Sequence, residues 1–291
     1  MLRTRLWMGT ILIGLTVGVL VVDQQLAPAY PFLLVLVLLL TLVGCHELLE
    51  LLGTARRPSP WWCYTAVTAL VAANWVPSIS VWLVPDLMVD RDPWLWMVGV
   101  FALMVLAAFV VEMAAFQVPG ESVARIALSV WITAYLGLLP SFLVQLRWLP
   151  DLETSSRNQR ASAALMLAIF VPKCGDIGAY FTGRLLGRHA MAPTLSPKKT
   201  WEGAAGGVTA SMLAALGVDR LGPVVRGGWP SAAVLGAALG IVGILGDLAE
   251  SLIKRDCRQK DASQVVPGFG GVLDVVDSIL FAAPVAYWWI K

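Results

Sequence analysis

Histidine, cysteine and charge are all scarce in this chain, and each scarcity excludes a class of protein. Only two histidines, His46 and His189, occur among 291 residues, and they are too few and too far apart to form a metal site by themselves. The four cysteines lack the paired spacing of a disulfide framework or a zinc site. Charged residues make up 14% of the chain and hydrophobic residues 58%, whereas a soluble domain carries about 25% charged residues. With a mean hydropathy of +0.76, the sequence predicts an integral membrane protein.

The charges that are present nearly balance. The net charge is +2, from 21 basic and 19 acidic residues. Because this balance gives no strong basic field of the kind that attracts nucleic acid, we expect no nucleic-acid partner. The positions of the charges are therefore more informative than their sum.

Apolar runs of membrane length predict an all-α integral membrane protein, a polytopic bundle of about nine transmembrane helices. Proline residues at positions 77 and 140 are expected to interrupt the third and fifth spans. The predicted spans are residues 6–22, 30–45, 61–84, 94–115, 123–144, 161–186, 201–216, 232–253 and 271–290.

Basic residues predict the orientation of this bundle. With a cytoplasmic N-terminus, 13 Lys and Arg residues face the cytoplasm and seven face outward, and Lys173 lies in the membrane, which accounts for all 21. This bias favours the N-terminus inside and the C-terminus outside. We predict five N-terminal spans in residues 1–160 and a C-terminal catalytic transmembrane region in residues 161–291. Its loops 187–200 and 254–271 then share the cytoplasmic side and can meet.

Carboxylates at helical spacing lie beside two of the apolar runs. Short acidic side chains next to hydrocarbon are costly, about 2.5–3.5 kcal/mol each on the lenient insertion scale, so several on one face indicate a bound cation or an ionic substrate. Paired carboxylates suit a hard cation such as magnesium. The alternative is that these charges only reach the membrane interface. One stripe holds Asp247, Glu250, Ser251 and Lys254, and the other holds Asp274, Asp277 and Ser278.

A third stripe and a basic loop stand in the sixth span and after it. Lys173, Asp176, Tyr180 and Arg184 share one helix face, where a buried Lys–Asp pair that only stabilises packing is the alternative. In the following loop, Ser196-Pro197 has the sequence of a helix start. We therefore expect Lys198 and Lys199 in the first turn of a helix, where free backbone amides and two ammonium groups would bind phosphate. A solvated loop attracted to anionic lipid is the alternative.

These motifs resemble those of phosphatidate cytidylyltransferases, also called CDP-diacylglycerol synthases, over about residues 176–278. The resemblance implies a membrane enzyme that converts phosphatidic acid and CTP into CDP-diacylglycerol and pyrophosphate. It also implies magnesium, with potassium as a candidate second cation, and a site on the cytoplasmic face of the bacterial inner membrane among membrane lipids; a homodimer is left open. The matching segments are Ser196-Pro-Lys-Lys-Thr-Trp-Glu-Gly203, Gly246-Asp-Leu, Ser251-Leu-Ile-Lys-Arg255, Lys260-Asp261, Pro267-Gly268, Gly270-Gly271, and Asp274 with Asp277.

The resemblance also assigns roles to residues. By it, the metal carboxylates are Asp247 and Asp274, with Asp277 nearby, and the catalytic cations are Lys254, Arg255, Lys198 and Lys199. The motifs and the stripe on the sixth span supply the substrate-binding candidates Ser196, Thr200, Glu202, Asp176, Tyr180, Ser251, Lys260, Asp261, Gly270 and Gly271. Two positions depart from the family pattern, because Phe269 and Val275 stand where histidine and arginine are usual.

The chemistry of the reaction agrees with a site that has carboxylates and cations but no catalytic histidine or cysteine. A phosphate monoester has a second pKa near 6 and is ionised at pH 7, so no general base is needed. Two other functions stay open from the sequence. One is a CTP-dependent polyprenol or phytol kinase, which would release CDP, and the other is an ion-coupled transporter of an anionic solute.

Overall fold

The computed structural model describes residues 2–83, 92–117, 119–149, 157–260, 262–263, 265–268 and 270–291. In these residues the chain is helical except for one short hairpin and the loops. The α-helices are α1 Leu2–Asp23, α2 Pro31–Arg56, α3 Pro60–Ala73, α4 Val76–Leu83, α5 Pro93–Ala115, α6 Ser122–Thr133, α7 Leu139–Gln145, α8 Arg157–Leu186, α9 Trp201–Leu221, α10 Gly228–Asp256 and α11 Val272–Ile290. The hairpin pairs β1 Ala190–Ala192 with β2 Ser196–Thr200 in antiparallel fashion.

Seven helical segments of the described chain are long and apolar enough to cross a membrane. They are Trp7–Leu26, Pro31–Gly53, Pro93–Ala115, Ser122–Trp148, Arg160–Leu186, Gly228–Asp256 and Val272–Ile290. The polytopic helical membrane fold is therefore confirmed, but the count of nine spans is not. The predicted third span consists of the shorter helices α3 and α4, which meet just before Pro77. The predicted seventh span, α9, is rich in Gly and Ala and carries Glu202, Asp219 and Arg220, which lower its mean hydropathy, and it is not among the seven.

The chain divides into two compact units, the first formed by Met1–Ser141 with Ala262–Leu273. In this unit α3 packs against α2 and α5 around buried side chains such as Leu48, Cys63 and Leu70. The kink or break predicted at Pro140 is not a break, because a π-helical turn, Ala134–Leu138, joins α6 to α7 within one continuous segment, Ser122–Trp148. Asp23 is fully buried, and it accepts hydrogen bonds from the first backbone amides of α2.

The second unit, Phe142–Asp261 with Asp274–Lys291, is built on the packing of α8, α9 and α10. Small residues allow this packing, as the glycines of α9 predicted: a Cβ on Gly207 would lie 2.9 Å from the Gly175 carbonyl oxygen. One helical turn further along α9, a Cβ on Gly240 of α10 would lie 2.8 Å from the Ser211 hydroxyl. Arg147, expected in an outward-facing polar connection, is instead buried and donates a hydrogen bond to Ser162 at 2.5 Å.

Candidate functional site

Helix α8 carries the predicted stripe of polar side chains into the second unit. Lys173 Nζ lies 3.2 Å from Asp176 Oδ2, one helical turn along. Two turns further, Arg184 donates a hydrogen bond to the Tyr180 hydroxyl at 3.0 Å. The four residues therefore share one face, as their spacing predicts.

The predicted helix start at Ser196-Pro197 is wrong, because Ser196–Thr200 is strand β2. Helix α9 begins at Trp201, directly after β2. Its N-cap is Thr200, whose hydroxyl accepts a hydrogen bond from the Gly203 amide at 3.1 Å. Proline lacks an amide hydrogen but is tolerated in a two-stranded hairpin whose outer edges are unpaired. Lys198 and Lys199 therefore lie on a strand. The predicted arrangement, with both lysines in the first turn of a helix beside its free backbone amides, is not observed.

The two lysines of β2 nonetheless line a pocket of about 430 Å³. Acidic, basic and apolar side chains share its wall, so it can hold a ligand that is partly anionic and partly apolar. Lys199 Nζ lies 2.7 Å from Asp247 Oδ2, whereas Lys198 is exposed. The lining residues are Asp176, Ala179, Tyr180, Gly183, Arg184, Met191, Lys198, Lys199, Thr200, Gly203, Ala204, Ile244 and Asp247.

Three carboxylates, which we call the acidic cluster, converge beside this pocket. One oxygen of each of Asp247, Glu250 and Asp277 lies within 4.8 Å of the others. Glu250 and Asp277 are buried, at 2% and 4% exposure, and Glu250 Oε1 accepts no hydrogen bond from any described residue. A buried carboxylate oxygen without a donor is costly, and oxygen ligands at this spacing fit a hard divalent cation. The acidic cluster is thus suited to a metal ion.

Asp274, predicted as a metal ligand, makes a different contact in this structure. Its Oδ1 lies 2.6 Å from Lys254 Nζ, and Lys254 also lies 3.0 Å from Glu250 Oε2. Lys254 therefore links Asp274 to the acidic cluster. The neighbouring Arg255 donates to the Leu195 carbonyl oxygen at 3.3 Å, so the end of α10 contacts the hairpin loop, as the topology predicts.

Glu202 holds the loop before α9 rather than facing the pocket. Its Oε2 accepts the backbone amides of Arg188 and His189, and its Oε1 lies 2.6 Å from His189 Nδ1. Its predicted substrate contact stays a prediction.

The remaining predicted residues are scattered. Ser196 and Ser251 are partly buried, on β2 and α10, and Lys260 is exposed. Gly270 and Gly271 belong to the first unit. Asp261 and Phe269 lie outside the described residues, while Val275 is partly buried on α11.

Sequence reasoning missed two acidic residues. Glu250 lies three residues after Asp247 on the predicted stripe, so its spacing was a usable signal for a metal ligand. Glu47, in the first unit, is buried and accepts the Ser263 hydroxyl and the backbone amides of Val272 and Leu273. No local pattern indicates this contact, because Glu47 and Val272 are 225 positions apart.

The sequence profile of the cytidylyltransferase family matches residues 3–291, nearly the whole chain. This chain belongs to the cytidylyltransferase family. The relationship confirms the resemblance drawn from the motifs of residues 176–278.

Curated relatives of this chain carry a more specific name than the family. The chain is 37% identical over 198 residues to a phosphatidate cytidylyltransferase of Synechocystis, covering 60% of this chain and 65% of that protein. It is 48% identical over 112 residues to the Brucella suis protein of that name, covering 38% and 41%. The corresponding Haemophilus influenzae protein is 41% identical over 124 residues, covering 41% and 43%. Each match thus spans less than two thirds of the relative's length.

Proposed function

We propose that this cytidylyltransferase transfers the cytidylyl group of CTP to phosphatidic acid, producing CDP-diacylglycerol and pyrophosphate. The observation that carries the proposal is the position of Asp247, which lines the 430 Å³ pocket together with Lys198 and Lys199 and also belongs to the acidic cluster. A nucleotide whose phosphates contact Lys198 and Lys199 would thereby lie next to a bound divalent cation. The printed names of the Synechocystis, Brucella and Haemophilus relatives support the same reaction.

The reaction needs charge stabilisation more than proton transfer. An oxygen of the phosphatidic acid phosphate attacks the α-phosphorus of CTP, a new P–O–P bond forms, and the bond to the β-phosphate oxygen breaks to release pyrophosphate. The attacking phosphate is already ionised near pH 7. Lys198, Lys199, Lys254 and Arg255 then stabilise the negative charge that develops on the pyrophosphate, which is the main catalytic term in phosphoryl chemistry.

Magnesium is the proposed cofactor, held by Asp247, Glu250 and Asp277. When bound, it would neutralise phosphate charge and orient the nucleotide. Asp274 remains a predicted further ligand, because movement of Lys254 toward a phosphate would break their ion pair. Potassium, a homodimer and the substrate-binding roles of Ser251, Lys260 and the 270–271 glycines remain predictions from the resemblance.

The proposed setting is the inner membrane of a bacterial cell, with nine spans, a cytoplasmic N-terminus and the site facing the cytoplasm. The excess of basic residues on the proposed inner side supports this orientation. The lipid tails of phosphatidic acid would stay in the bilayer while CTP enters from the cytoplasm.

One assay tests the function. Purified protein in detergent is given labelled CTP and phosphatidic acid, with and without magnesium, and both the lipid and the soluble product are identified. We expect magnesium-dependent lipid-linked cytidine with stoichiometric pyrophosphate. Release of CDP with a phosphorylated lipid would instead show kinase chemistry, and no turnover of either kind would leave the proposal refuted.

A further inference from the structure

Glu47 of α2 is a buried carboxylate to which the proposed reaction gives no role. The side chain is 1% exposed. Its Oε1 accepts the Ser263 hydroxyl at 2.6 Å and the Val272 amide at 2.8 Å, and its Oε2 accepts the Leu273 amide at 2.9 Å. Hydrogen bonds to an ionised acceptor are roughly twice as strong as neutral ones. Glu47 therefore holds the segment that leads into α11 firmly.

The two amides that Glu47 accepts are the first two of α11, which begins at Val272. The first amides of a helix have no partner within that helix. A side chain from the residue just before the helix usually accepts them, but Gly271 has no side chain to offer. A carboxylate from α2 caps α11 instead, and its negative charge suits the positive end of the helix dipole.

Gly271 makes room for this cap. A Cβ at that position would lie 2.6 Å from Glu47 Oε2, which is much shorter than a van der Waals contact. The turn before it is closed, because the backbones of Val266 and Gly270 exchange hydrogen bonds at 2.8 Å and 3.0 Å. Between them, Gly268 has a φ of +85°, a conformation that favours glycine. The turn and Gly271 thus bring the start of α11 onto the Glu47 carboxylate.

Asp274 is the third residue of α11 and directly follows Leu273, so the cap bears on its position. Its Oδ1 lies 2.6 Å from Lys254 Nζ, which in turn lies 3.0 Å from Glu250 Oε2 in the acidic cluster. Lys254 holds Asp274 by its side chain, whereas Glu47 holds the backbone of the same helical turn. If Lys254 moves toward a phosphate, the backbone anchor still keeps Asp274 in place for a metal.

We propose that Glu47 is a positioning residue: by accepting the first two amides of α11, it holds Asp274 where that carboxylate can bind a divalent cation. Glu47 acts through the backbone of α11 and not by contact with substrate. The inference rests on the proposed metal-dependent function and on the predicted role of Asp274 as a ligand.

The test measures metal affinity without any substrate. The full chain is purified in detergent, stripped of metal and titrated with Mn²⁺, and the free ion is followed by its electron paramagnetic resonance signal. We expect Glu47→Gln, which turns an amide group toward the helix start, to raise the Mn²⁺ dissociation constant about 10-fold, as is typical when the support of a ligand is lost. Gly271→Ala, whose Cβ displaces the same carboxylate, should have the same effect.

Asp23→Asn is the matched control. Asp23 is an equally buried carboxylate of the first unit, and it accepts two amides in the first turn of α2. Loss of this cap should lower the melting temperature and leave the Mn²⁺ dissociation constant unchanged. A rise in Asp23→Asn equal to that in Glu47→Gln would mean that any lost cap weakens the site, and the proposal would be overturned.

A double variant checks that Glu47 acts through Asp274. In the Asp274→Asn background, Glu47→Gln should cause no further rise in the Mn²⁺ dissociation constant, because the positioned ligand is already lost. Equal rises in both backgrounds, or no rise in folded Glu47→Gln, would overturn the proposal.

Hydrogen exchange tests the anchor in the wild type, where no variant has to fold. The amides of Val272 and Leu273 should exchange slowly, and exchange at the rate of an unstructured chain would overturn the proposal as well. Failure of the proposed function would appear separately, as a protein that shows these Mn²⁺ affinities but forms no lipid-linked cytidine.

Discussion

Asp247 connects the pocket and the acidic cluster, and Glu250 offers that cluster a buried oxygen that accepts no hydrogen bond within the described part of the chain. Asp247→Asn and Glu250→Gln each keep the side-chain shape and remove one metal-ligand charge. We expect each to lower the cytidylyl transfer rate by about 10²–10³-fold, the loss typical of one transition-state electrostatic contact. The rates are measured on purified protein whose melting temperature is near that of the wild type.

A matched control is Glu50→Gln, since Glu50 is an exposed carboxylate paired with Arg57. It should leave turnover unchanged. Near-normal turnover in Asp247→Asn would refute the assignment of the metal to the acidic cluster, and near-normal turnover in Glu250→Gln alone would remove only Glu250 from it.

Lys198 and Lys199 differ in their surroundings, because Lys199 contacts Asp247 while Lys198 is exposed. Replacement of both by methionine should lower turnover at saturating CTP in neutral detergent, since the developing pyrophosphate charge then lacks two cations. Lys291→Met is the control for loss of a lysine elsewhere. If the double variant were impaired only in vesicles of anionic lipid, the lysines would serve membrane binding and not phosphate binding.

At the scale of elements, the packing of α8 on α9 depends on glycine, and a second glycine of α9, where an added Cβ would contact nothing, serves as the control. A Cβ at Gly207 would lie 2.9 Å from a backbone oxygen and 3.0 Å from Ala179 Cβ, whereas at Gly217 nothing lies within 4 Å. Gly207→Ala should therefore lower the free energy of unfolding by about 1–3 kcal/mol through overpacking. Gly217→Ala should raise it by about 0.5–1 kcal/mol, because alanine is the better helix former. Equal melting temperatures for the two variants in detergent would contradict the close packing.

Contacts within one helix were predictable from the sequence, whereas for contacts between elements the sequence indicated which segments meet but not which side chains pair. The spacing of Lys173 and Asp176 gave their pairing correctly, because both lie on one stripe of α8. The partner Asp277 lies 104 positions away, and no local period encodes that separation. The helix start predicted at Ser196-Pro197 was wrong because serine and proline are as compatible with a hairpin strand as with a helix start. The residue that does cap α9, Thr200, stands four positions later.

At the scale of the whole molecule, the orientation in the membrane stays a prediction, and labelling tests it. In an active variant without the four native cysteines, single cysteines replace Thr194, Gln259 and Arg226, all exposed in the second unit. Thr194→Cys and Gln259→Cys should react with a membrane-impermeant thiol reagent only after the cytoplasmic face is opened. Arg226→Cys should react in intact cells, because α9 and α10 would each cross the bilayer once.

The two outcomes of this labelling bear on different conclusions. Labelling of Thr194 and Gln259 from opposite faces would contradict the contact of Arg255 with Leu195 and hence the site itself. Labelling of all three from the cytoplasmic face would mean that neither α9, which is less apolar than the seven long spans, nor α10 crosses the bilayer.

The internal ion pairs of the site have a consequence for how substrate binding responds to ionic strength. Lys199 and Lys254 are already held by Asp247 and Asp274 at 2.7 Å and 2.6 Å before any phosphate arrives. When a nucleotide binds with its divalent ion, the lysines would therefore leave the carboxylates and contact the phosphates, and the carboxylates would bind the metal. Few counterions are released from solvent in such an exchange, and partly buried pairs are weakly screened by salt. Added potassium chloride should consequently weaken CTP binding much less than it would at a surface cluster of unpaired lysines.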